Sequence, residues 1–230
     1  MIGGFEPWTE YLGVELHRHA SGAYTYITDK VALDADGSPF AYHRDNTGRD
    51  DLRFASWPDG AEDWRSILVA DPLDPSRPFV QADGPASGYF LSMTTLRSFD
   101  GSATDPGTYV DSERYPYLVF PADFLKIDGV GGFGDLTMVR NLSNGQVSWA
   151  VVADQGPAGH PLGEISLRLA ESLGGVNVNP RNGDGIAPGA LQFVIFPNSR
   201  LDPPWPQTAE ALEGAARRLF AQLGGWPAIG

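Results

Sequence analysis

The chain has no cysteine, so disulfides and thiolate chemistry are excluded. No apolar run approaches the ~20 residues that a helix needs to cross a bilayer. Nor does the start, MIGGFEPW, show a basic region followed by an apolar one, so neither a membrane span nor a secretory signal is expected. Basic residues are scarce: 16 against 29 acidic ones, a formal charge of −13. A surface of that sign, without any basic tract, repels nucleic acid and anionic lipid and attracts a polycation. Internal repeats are absent, and 28 glycines with 19 prolines leave room for few helices.

What is present suits one mainly β domain over residues 1–230, expected as a monomer. A hydrophobic content of 42% with 11% aromatics supplies a core and argues against disorder. Trp8, Tyr11, Leu12, Val14, Leu16, Tyr24, Tyr26 and Ile27 alternate as strand residues do. Helices are expected at 167–173, capped by Ser166 and stopped by Gly174, and at 208–223, where Leu212, Ala216, Leu219, Phe220 and Leu223 share a face.

The stretch that organises the chain is Val147–Gly174, VSWAVVADQGPAGHPLGEISLRLAESLG. Trp149 to Ala153 is apolar on both alternating faces, as in a strand buried on both sides, and Asp154 stands at its exit. Gly156, Pro157, Gly159 and Pro161 forbid a helix and force a turn. Glu164 follows just before the helix, so two carboxylates flank one tight bend. Glycoside hydrolysis uses such a pair: an acid protonates the departing oxygen while a base activates water from the opposite face, across roughly 6.5–9.5 Å in an inverting enzyme. The plainer reading is an Asp capping a turn and a Glu satisfying a helix terminus.

Further polar groups come in ordered pieces. Asp36, Gly37, Pro39, Ala41, Tyr42 and His43 lie in a carboxylate-rich turn, ALDADGSPFAYHRDNTGRDDL, suited to lining a sugar site. GYFLSMTTL, residues 88–96, reads as a strand with Ser92 and Thr94 on one face, meeting substrate hydroxyls or a neighbouring strand. YVDSERYPYLVFP puts Asp111 on a loop ahead of a buried strand, Tyr117 to Phe120. Asp135 to Val139 and LQFVIFP (191–197) read as core strands, and Asn144-Gly145 marks a hairpin into Trp149.

In this order, the pieces D-G-S-P-x-A-Y-H, G-Y-x-x-S-x-T-x-L, Y-V-D-x-x-x-x-P-Y, G-D-L, the Asp154–Ser166 segment and the final strand resemble glycoside hydrolase family 75, the chitosanases. The Asp154–Ser166 segment is also similar to the double-psi β-barrel of rare lipoprotein A and expansin-like domains. The resemblance implies a six-stranded double-psi β-barrel-like core with peripheral strands and two helices. It implies endo-cleavage of β-1,4 glucosamine linkages in chitosan, a polycationic polysaccharide, by inversion and without metal or cofactor. Glu164 would be the general acid and Asp154 the general base, with Asp36, Tyr42, His43, Ser92, Thr94 and Asp111 binding substrate. Extracellular action is implied as well. Two other functions stay open: a barrel enzyme acting on peptidoglycan, and a non-catalytic polysaccharide-binding module.

Several motifs are set aside on physical grounds. GVGGFG (129–134) fits a dinucleotide fingerprint by letter, but a strand follows it where a helix is needed. Asp34, Asp36, Ser38 and Asp45 mimic a calcium loop, yet Pro39 stands where that loop needs Gly. Ser92 has no nucleophile-elbow glycines. His17 and His19 lack partners at a metal spacing.

Overall fold

The computed structural model describes residues 4–58 and 63–227. In chain order its strands are β1 (Phe5–Tyr11), β2 (Val14–His19), β3 (Tyr24–Thr28), β4 (Ala32–Asp34), β5 (Tyr42–His43), β6 (Ala70–Asp71), β7 (Asp74–Pro78), β8 (Tyr89–Phe90), β9 (Tyr117–Pro121), β10 (Leu136–Asn141), β11 (Val147–Gly156), β12 (Glu164–Ser166) and β13 (Leu191–Phe196). The helices are α1 (Leu167–Ser172) and α2 (Ala209–Leu223). Nine strands form one mixed sheet in the order β1-β2-β3-β13-β10-β11-β9-β12-β4, while β5–β8 and β6–β7 make two small pairs.

Alternation along the central strands builds a core on each face of the sheet. Leu136 and Met138 of β10, Val194 and Phe196 of β13, and Trp149, Val151 and Ala153 of β11 pack on one face with Leu212, Ala215 and Ala216 of α2. Val139, Phe193, Ile195, Ala150 and Val152 turn to the other, joining Tyr24, Tyr26, Leu118, Phe120 and Leu169 of α1. Each of the large aliphatic and Phe or Met side chains among them contributes about 1.5–3 kcal/mol on burial, and both faces of the central strands are covered by them.

Both helices form where the sequence places them, and their caps agree. Ser166 Oγ accepts from Leu169 N–H (3.1 Å) at the start of α1, and Thr208 Oγ1 from Ala211 N–H (3.2 Å) at the start of α2. Two expectations are corrected. The sheet is open: the β1–β2 hairpin extends it beyond β3 instead of returning to β4, so among the described residues the nine strands do not close into a six-stranded barrel. Residues 88–96 do not form one strand either; only Tyr89–Phe90 pairs, with isolated bridges at Leu68–Ser92 and Val80–Phe90. There the hydroxyls take over the backbone's bonds: Gly37 N–H donates to Ser92 Oγ (3.0 Å) and Val110 N–H to Thr94 Oγ1 (2.9 Å).

Candidate active site

β11 runs parallel to β9, and between Val152 and Asp154 the register slips by one residue: Val152 faces Leu118, and Asp154 faces Val119. Ala153 is therefore surplus, a β-bulge, and bulges re-aim the side chain that follows. By plain alternation Asp154 would share the core face of Val152. With the bulge it lies beside Val119, and both border an open cleft of about 450 Å³. Its Oδ1 accepts three bonds, from Thr95 N–H (3.0 Å), Thr95 Oγ1–H (2.7 Å) and Gln155 N–H (2.7 Å).

Glu164 opens β12, which pairs parallel with β4 and touches β9 at Ile165–Leu118. The turn between the two acids is pinned from outside, since Asp123 accepts Gly159 N–H (3.1 Å) and the Tyr11 hydroxyl (2.6 Å). Two glycines sit at the close approach. Gly163 has φ +125°, and a side chain there would collide with the Lys30 carbonyl; this lets β12 lie against β4. At Gly156 a β-carbon would stand 3.1 Å from Glu164 Oε2, so the Glu164 carboxylate lies close against β11 and a side chain there would make it shift. No hydrogen bond reaches the Glu164 carboxylate from the described residues.

The structure adds three carboxylates to the pair. Asp34 ends β4, and Asp36 and Asp50 sit on the loops that follow; with Tyr42, Asp154 and Glu164 they line the same cleft. Among the described residues no Lys or Arg lines it. Oxygens of Asp34, Asp36 and Asp154 lie within 4.8 Å of one another. Asp34 is satisfied by Asp36 N–H (2.8 Å) and the Tyr117 hydroxyl (3.0 Å), whereas Asp36 Oδ1 is buried without a partner. An all-oxygen trio of this spacing suits a hard divalent cation, and equally suits carboxyls that share a proton because like charges so close do not all ionise.

Burial is the largest cause of every shift in the cleft. It lifts Asp154 to about 7, helped by the Asp34 charge and opposed by the donors on Oδ1. It lifts Glu164 to about 8, helped by Asp34, then Asp154 and Asp50, with nothing opposing. Asp50 rises to about 7. Asp34 is raised, and Asp36 well above the carboxylate range by burial and then the charges of Asp34 and Asp154. The two acids thus differ in environment: Asp154 has donors that hold its charge, and Glu164 has none.

Of the residues expected at the site, Asp154, Glu164, Asp36 and Tyr42 come together in the cleft. His43 is beside it but turned away, its ring edge-on to Tyr89 at 4.7 Å and under Gly88. Ser92 and Thr94 are buried outside the cleft and brace the loops around Gly37 and Val110, so their hydroxyls are occupied by the scaffold. Asp111 lies in a separate hollow of about 210 Å³ with Arg114, Tyr115 and Trp205; burial raises it to about 6. Asp34, Asp50, Phe54 and Thr95 were not singled out for the site. Asp34 carries the signal that marked Asp154, an Asp at a strand exit before a turn, whereas Asp50 and Thr95 reach the site only through tertiary contact. No known family's sequence profile and no curated protein matches the chain.

Proposed function

We propose that the chain is an inverting endo-glycosidase that cleaves β-1,4 glucosamine linkages in chitosan. The observation that carries this reading is that Asp154 and Glu164, from two different strands, border one open cleft whose charged lining is otherwise carboxylate. Chitosan is a chain of amines: the net charge of −13 draws such a polymer in, and the cleft's carboxyls accept its N–H donors or give up a proton as an ammonium settles among them. A neutral or anionic polysaccharide gains nothing from it, which favours chitosan over peptidoglycan.

The roles follow from environment. Glu164, raised to about 8, keeps its proton near neutral pH and serves as general acid to the leaving oxygen. Asp154, lower at about 7 and steadied by Thr95 and Gln155, ionises first and takes a proton from the attacking water. The mixed strand order, with parallel pairs β9–β11 and β4–β12 in the half of the sheet that carries the acids, supports relating this region to double-psi barrels, a finer assignment that belongs to the same proposal. Asp154→Asn and Glu164→Gln are each expected to lower reducing-end release from chitosan by at least about 10²-fold with the circular dichroism spectrum unchanged. Inversion is read from the anomer of the first product by NMR. Near wild-type rates in both variants overturn the assignment.

A further inference from the structure

Phe54 does not belong to the acid machinery, yet it borders the same cleft. It is 47% exposed, and of the exposed large hydrophobic residues among those described (Leu12, Leu73, Phe99, Leu142, Val147 and Val176 are the others) it is the one that lines this cleft. Its backbone is fixed in a tight series of turns. Phe54 N–H donates to Asp51 O (2.9 Å), Ala55 N–H to Leu52 O (3.1 Å) and Trp57 N–H to Leu52 O (3.1 Å). Leu52 and Ala55 on either side are buried, so the segment is anchored while the ring between them stays out. The Arg53 guanidinium sits over the ring, 4.6 Å from its centroid, and Arg53 is not part of the cleft wall. The cation thus restrains the ring without itself lining the cleft, and the ring borders the opening.

We propose that Phe54 forms a sugar-stacking subsite at the mouth of the acidic cleft, taking the C–H face of a pyranose whose amine and hydroxyls turn toward the carboxylates. The assignment rests on the carbohydrate reading of the cleft. A pyranose has apolar C–H groups on its faces and polar groups at its edge, so a complete subsite needs one aromatic plane and convergent polar groups. The cleft offers both: the Phe54 ring on the rim, with Ile67 and Leu33 also in its wall, and Asp50, Asp36 and Asp34 further in. The charge complements an amino sugar. A platform fixed beforehand by Arg53 and the turn bonds loses little freedom when a ring settles on it.

The test is calorimetry with a soluble glucosamine hexamer, in a Glu164→Gln background so that the probe is not cut, alongside steady-state kinetics on chitosan in the otherwise native chain. Phe54→Ala is expected to weaken hexamer binding about five- to tenfold, the scale of one aromatic stacking contact. KM on chitosan should rise by a similar factor while kcat stays within about twofold, because a rim contact of this kind is made equally in ground and transition states. Phe54→Tyr and Phe54→Trp should restore both values, which a merely structural role for the ring would not produce. Equal affinity with and without the ring, a Phe54→Trp variant as weak as Phe54→Ala, or no hexamer binding at all overturns the subsite. If the native chain cuts no chitosan but hexamer binding still depends on Phe54, the catalytic reading fails and the subsite stands.

Discussion

Replacing Asp34 by Asn removes an ionisable carboxyl from the heart of the cleft at the cost of one local hydrogen bond. The new amide oxygen still accepts Asp36 N–H, and the Tyr117 hydroxyl, which now donates to Asp34 Oδ2 (3.0 Å), keeps its second acceptor, the Asp36 carbonyl (3.0 Å). Asp34 and Asp154 oxygens lie within 4.8 Å. With an effective dielectric constant of about 20, two full charges at that distance repel by about 3.5 kcal/mol, or about 2.5 pK units. Burial raises Asp34 as well, so the full-charge figure is an upper bound on the expected shift. The direction is downward for both Asp154 and Glu164, because each is held up in part by the Asp34 charge. Activity rises as the base ionises and falls as the acid loses its proton, so both limbs of the kcat/KM profile should move to lower pH together. The assay is initial rates of reducing-end release across the pH range in Asp34→Asn and the native chain, with melting curves to confirm the fold. Unmoved limbs in a folded variant, or limbs that move to higher pH, refute the coupling.

Stability should report the same buried acids without any substrate. Glu164 at about 8 and Asp154 and Asp50 at about 7 all bind protons more tightly when folded than unfolded. Their contribution is therefore complete below the ordinary carboxylate range and is lost progressively as pH rises from about 4 to about 8. Melting temperature should fall across that interval and fall less in Glu164→Gln; a native chain that grows more stable with rising pH would contradict the burial of these groups. Ser166→Ala should cost about 2–3 kcal/mol in urea unfolding, since one hydroxyl accepts Leu169 N–H and Tyr117 N–H and donates to Tyr115 O. A change below about 0.5 kcal/mol would show that the α1–β9 junction does not depend on it.

Sequence pattern revealed what is local. The strands around Trp149, Tyr117 and Phe193 and both helices could be read because their periodicity and caps lie within a few residues. The acid pair could be read because one short bend joins it. Asp34 shows the same local mark, an Asp at a strand exit, but its place beside the pair, like that of Asp50, could not be read, since both arrive across β4–β12 pairing and loop packing from more than a hundred residues away. Ser92 and Thr94 do turn toward the same neighbours, but those are the Gly37 and Val110 loops, whose backbone N–H groups take up the hydroxyls, and no local pattern shows that. Sheet closure was not legible either, because pairing partners between distant short strands leave no mark on either strand alone.

The single surplus residue at Ala153 ties the chemistry to a count. Upstream of it, odd and even positions of β11 belong to opposite cores; downstream, the order is reversed, and Asp154 faces open space for that reason. Most substitutions in this strand would disturb only packing, whereas gaining or losing one residue would exchange inside for outside and turn the carboxylate toward oil.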